Sequence, residues 1–280
     1  MTALNNMKNG IRNNPIGVFD SGVGGLTVVK ELVRVLPHEN IIYFGDTARV
    51  PYGTKSKEAV IKFSNEIVDF LMSKNVKLIL VACNTASAVA LDNITEKAKI
   101  KVVGVIESGV NAAISVSKKK KVGVIGTEAT IKSKAYENCI KKTDRNFKVV
   151  NRACPLFVPL VEEGWINNRA SGIIANEYLK FVKKSGVDTV ILGCTHYPLL
   201  KKTISKVLGR QIQLVDSASE VAKKIKYILA NENLINISNK KGNKRFFVSD
   251  APQKFKKLGE MFLNEKIRSV IKVNIEEKYV

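Results

Sequence analysis

The sequence predicts an α/β fold built from two related halves with mainly parallel sheets, and three observations carry that expectation. From Pro15 onward, short β-branched runs alternate with amphipathic stretches, the pattern of parallel strands joined by helical crossovers. Cys83 in LILVACNTASAV and Cys194 in VILGCTHYPLL each follow directly on a run that reads as a buried strand. The strand-plus-turn IGVFDSG at 16–22 resembles VGVIGTE at 122–128, and each precedes its cysteine strand by a comparable interval. Two α/β halves related by a pseudo-twofold axis would bring the two thiols face to face.

Taken in order, strands are expected at 16–20, 41–45, 78–82, 102–106, 121–126, 147–151, 189–193, 211–215, 246–249 and 269–273, each a short run rich in β-branched or aromatic residues. Helices fill the gaps. Leu26, Val29, Leu32, Val33 and Leu36 recur at helical spacing before Pro37, and Ile61, Ile67, Val68 and Leu71 do the same after Ser56. The asparagine-rich residues 1–14 read as a disordered tail. No shorter repeat of roughly 20–50 residues is present, which excludes a solenoid.

With 280 residues and 45% hydrophobic content the chain can bury a sizeable core. No run reaches the roughly 18 apolar residues of a membrane helix, and the opening lacks the apolar core of a signal peptide. A cytoplasmic protein without a membrane partner is therefore expected. Four cysteines with no CxxC pair, beside two histidines, argue against a disulfide framework or a zinc site and for reduced thiols, with no metal. The net charge of +21 raises nucleic-acid binding. The excess is mostly Lys, scattered as pairs such as Lys141-Lys142 and Lys183-Lys184, with no interleaved aromatics and one longer run at Lys118–Lys121. That is the pattern of a lysine-biased composition, so a nucleic-acid partner is not expected. A basic nucleic-acid-binding regulatory protein on the same fold is the alternative from another functional class.

A thiol at the C-terminal end of a strand stands where α/β folds keep their ligands. Asn84, Thr85 and Thr195 follow the thiols and can hydrogen-bond a carboxylate, and helix starts just beyond leave backbone N–H groups free. Asp20-Ser21-Gly22-Val23-Gly24-Gly25 is a glycine-rich turn without dinucleotide or P-loop spacing. A tight strand-to-helix connection accounts for its glycines but not for the carboxylate and hydroxyl placed before them. The tract from Gly45 to Gly53 is a loop by its Pro and Gly content. His196, two residues after a strand-end cysteine, is a candidate general acid or base. Cys139 and Cys154 read as small buried hydrophobes, His38 as an exposed loop residue and Trp165 as packed between helices.

DSGVGG, GDTARVPYG, ACNTAS, PLFVPLVEEG and GCTHYPLL, in this order from about Pro15 to Asp216, resemble the glutamate racemase family, cofactor-independent members of the aspartate/glutamate racemase superfamily. The resemblance implies two pseudo-symmetric α/β domains with the active site at their interface. Here they would comprise residues 15–108 plus 217–280 and residues 109–216. It implies a cysteine from each domain, one acting as base and the other as acid on opposite faces of the α-carbon, with no cofactor. By motif, Asp20 would assist Cys83, which deprotonates D-glutamate, and His196 would assist Cys194, which deprotonates L-glutamate. Glu162, or its neighbour Glu163, also approaches the second thiol. Asp20, Ser21, Pro51, Tyr52, Gly53, Asn84, Thr85, Thr127, Thr195 and His196 would hold the substrate.

A free thiol titrates near ~8.5 and the substrate's α-proton is far less acidic, so donors from Asn84, Thr85, Thr127 and Thr195 would have to stabilise the developing charge. The implied product is D-glutamate for peptidoglycan, and a homodimer follows from the resemblance alone. An aspartate racemase is the nearest alternative, with CNTAS, GCTHYPLL and the PYG loop favouring glutamate.

Overall fold

The structure is a computed structural model and describes residues 10–275. Among these residues run ten strands: β1 (Ile16–Asp20), β2 (Ile41–Gly45), β3 (Leu78–Val81), β4 (Val102–Gly104), β5 (Lys121–Gly126), β6 (Lys148–Ala153), β7 (Thr189–Gly193), β8 (Gln213–Val215), β9 (Lys244–Val248) and β10 (Val270–Lys272). They form two sheets, in the orders β10-β9-β2-β1-β3-β4 and β6-β5-β7-β8. Every pairing is parallel. The run β2-β1-β3-β4 is repeated as β6-β5-β7-β8, so the near-repeat seen in the sequence is a repeat of topology. In both halves the strand before the glycine-bearing turn lies beside the strand before the thiol.

Parallel sheets are covered on both faces, so their strands are apolar throughout. All five residues of β1, of β2 and of β7 are buried. Register then decides where the turns fall. Asp20 pairs with Gly45 and Phe19 with Val81, while Gly126 pairs with Gly193. The segments leaving β1, β2 and β3 therefore start at one level, as do those leaving β5 and β7.

Helix Leu26–Val35 buries Leu26, Val29 and Leu32, three of the positions picked out by helical spacing, together with Val28, and ends before Pro37, while Val33 is only half-buried. Ser56 caps helix Lys57–Ser73 by accepting from the Ala59 N–H, satisfying one of the free donors of its first turn. Past the second sheet the chain returns through helix Ala218–Asn231, which packs with helix Pro252–Leu263 against Leu26–Val35, and β9 and β10 extend the first sheet beyond β2. One apolar cluster takes in Val18 and Leu80 from the first sheet and Ile125 and Leu192 from the second.

Some expectations shift. Residues 1–9 of the tail lie outside the described residues, but residues 10–12 form a helical turn rather than disordered chain. Lys77 Nζ donates to the Arg12 carbonyl (2.6 Å) and Asn40 to the Asn13 carbonyl (3.0 Å), so the segment is held by backbone acceptors that its composition does not advertise. Trp165 is 51% exposed rather than packed between helices, because it follows the turn at Gly164. His38 is half-buried, its Nδ1 3.0 Å from the Lys240 carbonyl.

Lys77 pairs with Glu39 at 2.5 Å with both side chains buried, and Lys77 Nζ also donates to the Leu234 carbonyl at 2.8 Å. Burial lowers the pKa of Lys77 and Glu39 opposes that shift. Removing one partner would leave the other charge stranded. Lys77→Met should therefore cost about 3 kcal/mol of stability in urea unfolding. A loss under about 1 kcal/mol would mean that the surrounding carbonyls, not the ion pair, hold this corner together.

Candidate active site

The segments leaving β1, β2, β3, β5 and β7 converge on one enclosed cavity. It is lined by Cys83, Asn84 and Thr85 after β3 and by Thr127, Cys194, Thr195 and His196 after β5 and β7, with Ser21 and the Pro51–Gly53 segment completing it. Val50 and Val158 complete the lining, two apolar residues that lie within the GDTARVPYG and PLFVPLVEEG motifs but outside the set of expected site residues. The space open to a water-sized sphere is only about 20 Å³, room for about one water. A larger surface groove of about 620 Å³, bordered by Lys201, Lys202, Lys206 and Arg210, includes neither thiol. Convergence of polar groups rather than volume locates the chemistry.

Cys83 stands at the N-cap of helix Asn84–Val89, where its Sγ accepts from the Ala86 N–H at 3.4 Å. Burial, and then the nearby Asp20, pushes this thiol up to about 12, outweighing hydrogen bonds from Ala86 and Ser21. Asp20 is fully buried and accepts from the Gly22 N–H at 3.0 Å and from the Thr195 hydroxyl at 3.3 Å. Burial raises its pKa, with His196 the strongest opposing influence. Asp20 thus acts on Cys83 and also reaches across to the segment that carries the second thiol, while Ser21 and the Ala86 N–H hydrogen-bond Cys83 directly.

Cys194 Sγ lies 3.9 Å from His196 Nδ1, and His196 Nε2 lies 3.2 Å from Glu162 Oε1. Glu163 is exposed at the end of helix Phe157–Glu162, so of the two glutamates Glu162 is the one that reaches the imidazole. Lys254 Nζ sits 4.0 Å from Glu162 Oε2, and the Phe262 ring packs edge-on to His196 at 5.5 Å. Both come from the C-terminal segment, which carries no motif. Burial disfavours a charged imidazole, yet Cys194, Glu162 and Asp20 together outweigh it and raise His196 to about 10. The hydrogen bond from His196 keeps the Glu162 carboxylate below its usual range, against burial. The two thiols thus have unlike surroundings, a histidine–glutamate pair beside Cys194 and Asp20 with the Ala86 N–H beside Cys83.

The shift in His196 has a readable consequence. A folded-state value above the ordinary ~6.5 means that the stability it adds is fully present below that pH and is lost as pH rises through about 10. In a His38→Gln background, which leaves a single imidazole, ¹⁵N-detected NMR should show His196 still protonated at pH 8. Titration below pH 7 would remove the imidazolium from the site.

The two halves meet through side chains at this cavity. The Thr85 hydroxyl lies 3.0 Å from that of Thr127, Tyr136 donates to Asn84 Oδ1 at 2.6 Å, and Thr27 donates to the Thr195 carbonyl at 3.3 Å. Two glycines permit the approach. A methyl at Gly24 would overlap Thr195 Oγ1 and His196 Nδ1, and one at Gly53 would come 2.5 Å from Thr127 Cβ. The Pro51–Gly53 segment is anchored from behind, since the Tyr52 hydroxyl donates to Asp46, which also accepts from Ser249 (2.7 Å) and Arg49 (2.8 Å).

Two thiols, carried by the turns that follow β3 and β7, line one small cavity, each with its own polar partners. The chain belongs to the Asp/Glu/hydantoin racemase family, whose model matches residues 16–225. It is 52% identical over 261 residues to the glutamate racemase of Geobacter metallireducens, a match covering 93% of this chain and 97% of that protein. The crystal structure of glutamate racemase from Francisella tularensis subsp. tularensis in complex with D-glutamate matches with a TM-score of 0.91 at 43% identity, covering 95% of this chain and 100% of that one. A glutamate racemase isoform of Bacillus anthracis matches with a TM-score of 0.92 at 41% identity, again covering 95% and 100%.

Proposed function

We propose that this enzyme interconverts L- and D-glutamate without a cofactor by passing protons to and from two thiols, and that it supplies D-glutamate for peptidoglycan in the cytoplasm. The observation that carries the reading is the meeting of two thiols at one cavity, with His196 Nδ1 3.9 Å from Cys194 Sγ and the Ala86 N–H 3.4 Å from Cys83 Sγ. With L-glutamate bound, the Cys194 thiolate, paired to His196, takes the α-proton, breaking C–H and forming S–H. The electron pair left on carbon accepts the Cys83 proton on the opposite face, giving D-glutamate and a Cys83 thiolate. D-glutamate runs the same steps backward. Asn84, Thr85, Thr127 and Thr195 offer donors to the substrate carboxylate, where charge builds as the proton leaves.

In this reading residues 15–108 with 217–280 form one lobe and residues 109–216 the other, so substrate enters when the lobes part. Assembly as a homodimer belongs to the same reading. Circular dichroism followed with L-glutamate and L-aspartate tests it. Glutamate should racemise faster. Faster turnover of aspartate moves the enzyme to the aspartate branch of the family, and steeply salt-dependent DNA binding without racemisation replaces catalysis with nucleic-acid binding.

A further inference from the structure

Tyr136, beside the start of helix Ala135–Thr143, belongs to none of the motifs and does not line the cavity, yet its hydroxyl donates to Asn84 Oδ1 at 2.6 Å. Tyr136 is 2% exposed and Asn84 4%. The ring is fixed by two close approaches. A Cβ at Gly193 would come 3.2 Å from Tyr136 Cε2, and one at Gly109 would come 3.6 Å from Cε1. Gly193 directly precedes Cys194, while Asn84 directly follows Cys83, so this one side chain spans the distance between the two thiol-bearing turns.

The direction of the bond is set by the partners available. Asn84 is the only hydrogen-bond partner of the Tyr136 hydroxyl among the described residues, and a buried O–H that does not donate is costly. Burial pushes the phenol far above its ordinary range, so it keeps its proton. Tyr136 therefore occupies the oxygen end of the carboxamide. The NH₂ end has no protein partner among the described residues, and Asn84 lines the cavity. An ionised carboxylate only accepts hydrogen bonds, so an NH₂ group is the end of the amide that suits it.

We propose that Tyr136 is a positioning residue for substrate binding, which holds the Asn84 carboxamide with its NH₂ group turned to the substrate carboxylate. The donor comes from the opposite lobe, so the amide is aimed only when the lobes are together. Apart from them, its two ends are free to exchange. This inference rests on the glutamate reading above.

The test compares Tyr136→Phe, Asn84→Ala and the double variant, with calorimetric binding of D-glutamate, racemisation and melting temperature measured on each. Tyr136→Phe keeps the ring and should raise the Kd for D-glutamate about tenfold, with a larger change in KM than in kcat. In the Asn84→Ala background the same substitution should change nothing further, because its effect runs through the amide. Effects that multiply, or an unchanged Kd in Tyr136→Phe, overturn the proposal. Asn84→Asp supplies an independent check should Tyr136→Phe fail to fold. It keeps the shape but turns a charged oxygen to the ligand, and it should bind D-glutamate more weakly than Asn84→Ala; binding as tight as wild type overturns the proposal. Wild-type protein that binds D-glutamate without racemising it sinks the catalytic reading alone, and wild-type protein that does not bind it sinks both.

Discussion

Replacing either Cys83 or Cys194 with Ser should lower racemisation by at least about 10³-fold, roughly 4 kcal/mol of barrier, because a hydroxyl is a far poorer base than a thiolate at neutral pH. The two variants should nonetheless differ in what they keep. With an analogue bearing a leaving group on the β-carbon, elimination needs only the first proton abstraction. Cys83→Ser retains the base for the L-enantiomer, and Cys194→Ser retains the base for the D-enantiomer. Each should process one hand and not the other. Cys139→Ser and Cys154→Ser should be unaffected, since neither sulfur lines the cavity. Either active-site variant within about tenfold of wild type, under about 1.4 kcal/mol, would end the two-thiol mechanism for this protein.

Gly24→Ala should be nearly as damaging without touching a reactive group. The added methyl would overlap Thr195 Oγ1 and His196 Nδ1, both across the cavity from the Asp20–Gly25 turn. The backbone at Gly24 is not in the left-handed region, so the penalty comes from the opposing lobe and not from local strain. The lobes can relieve it only by standing apart, which separates the Thr195 hydroxyl from Asp20 and withdraws one thiol from the substrate. A loss of about 10³-fold in kcat/KM is expected. Gly172→Ala is the matched control. It lies in helix Arg169–Lys184 with nothing within 4 Å of the added carbon, and it should leave activity unchanged while adding a few tenths of a kcal/mol of helix stability. If Gly24→Ala turns over as fast as wild type, the closed arrangement is not the reactive one.

The strands and the thiol-bearing turns were legible because parallel sheets write themselves as apolar runs and because the reactive residues sit at fixed offsets from the strand ends. All ten expected strands form, with ends moved by a few residues at places such as Val102–Gly104 and Lys244–Val248, where pairing with a neighbour rather than composition sets the length. What the sequence concealed arises from the meeting of distant segments. Tyr136 has the surroundings of any amphipathic helix residue, and only the approach of a second lobe gives its hydroxyl a partner. Lys77 and Glu39 look like two solvated charges until the fold buries them against each other. Lys254 and Phe262 carry no pattern at all, since their contacts with Glu162 and His196 depend on how the C-terminal helix packs. Choosing Glu162 over Glu163 needed helical phase at a helix end, where phase is least certain from sequence.

The cavity leaves room for about one water, and that small space governs the state in which a turnover leaves the enzyme. In the two-thiol mechanism proposed above, conversion of L- to D-glutamate reverses the proton inventory of the site: Cys83 is bare and Cys194 carries the hydrogen. The enzyme that releases product is then a different species from the one that took up substrate, set to accept the molecule it has just let go. Restoring the starting form needs a proton to cross between the sulfurs, and while the walls are together a lone water is the most that can carry it. On that mechanism the protein would keep a record of the direction of its last reaction, and the parting of the lobes would erase it.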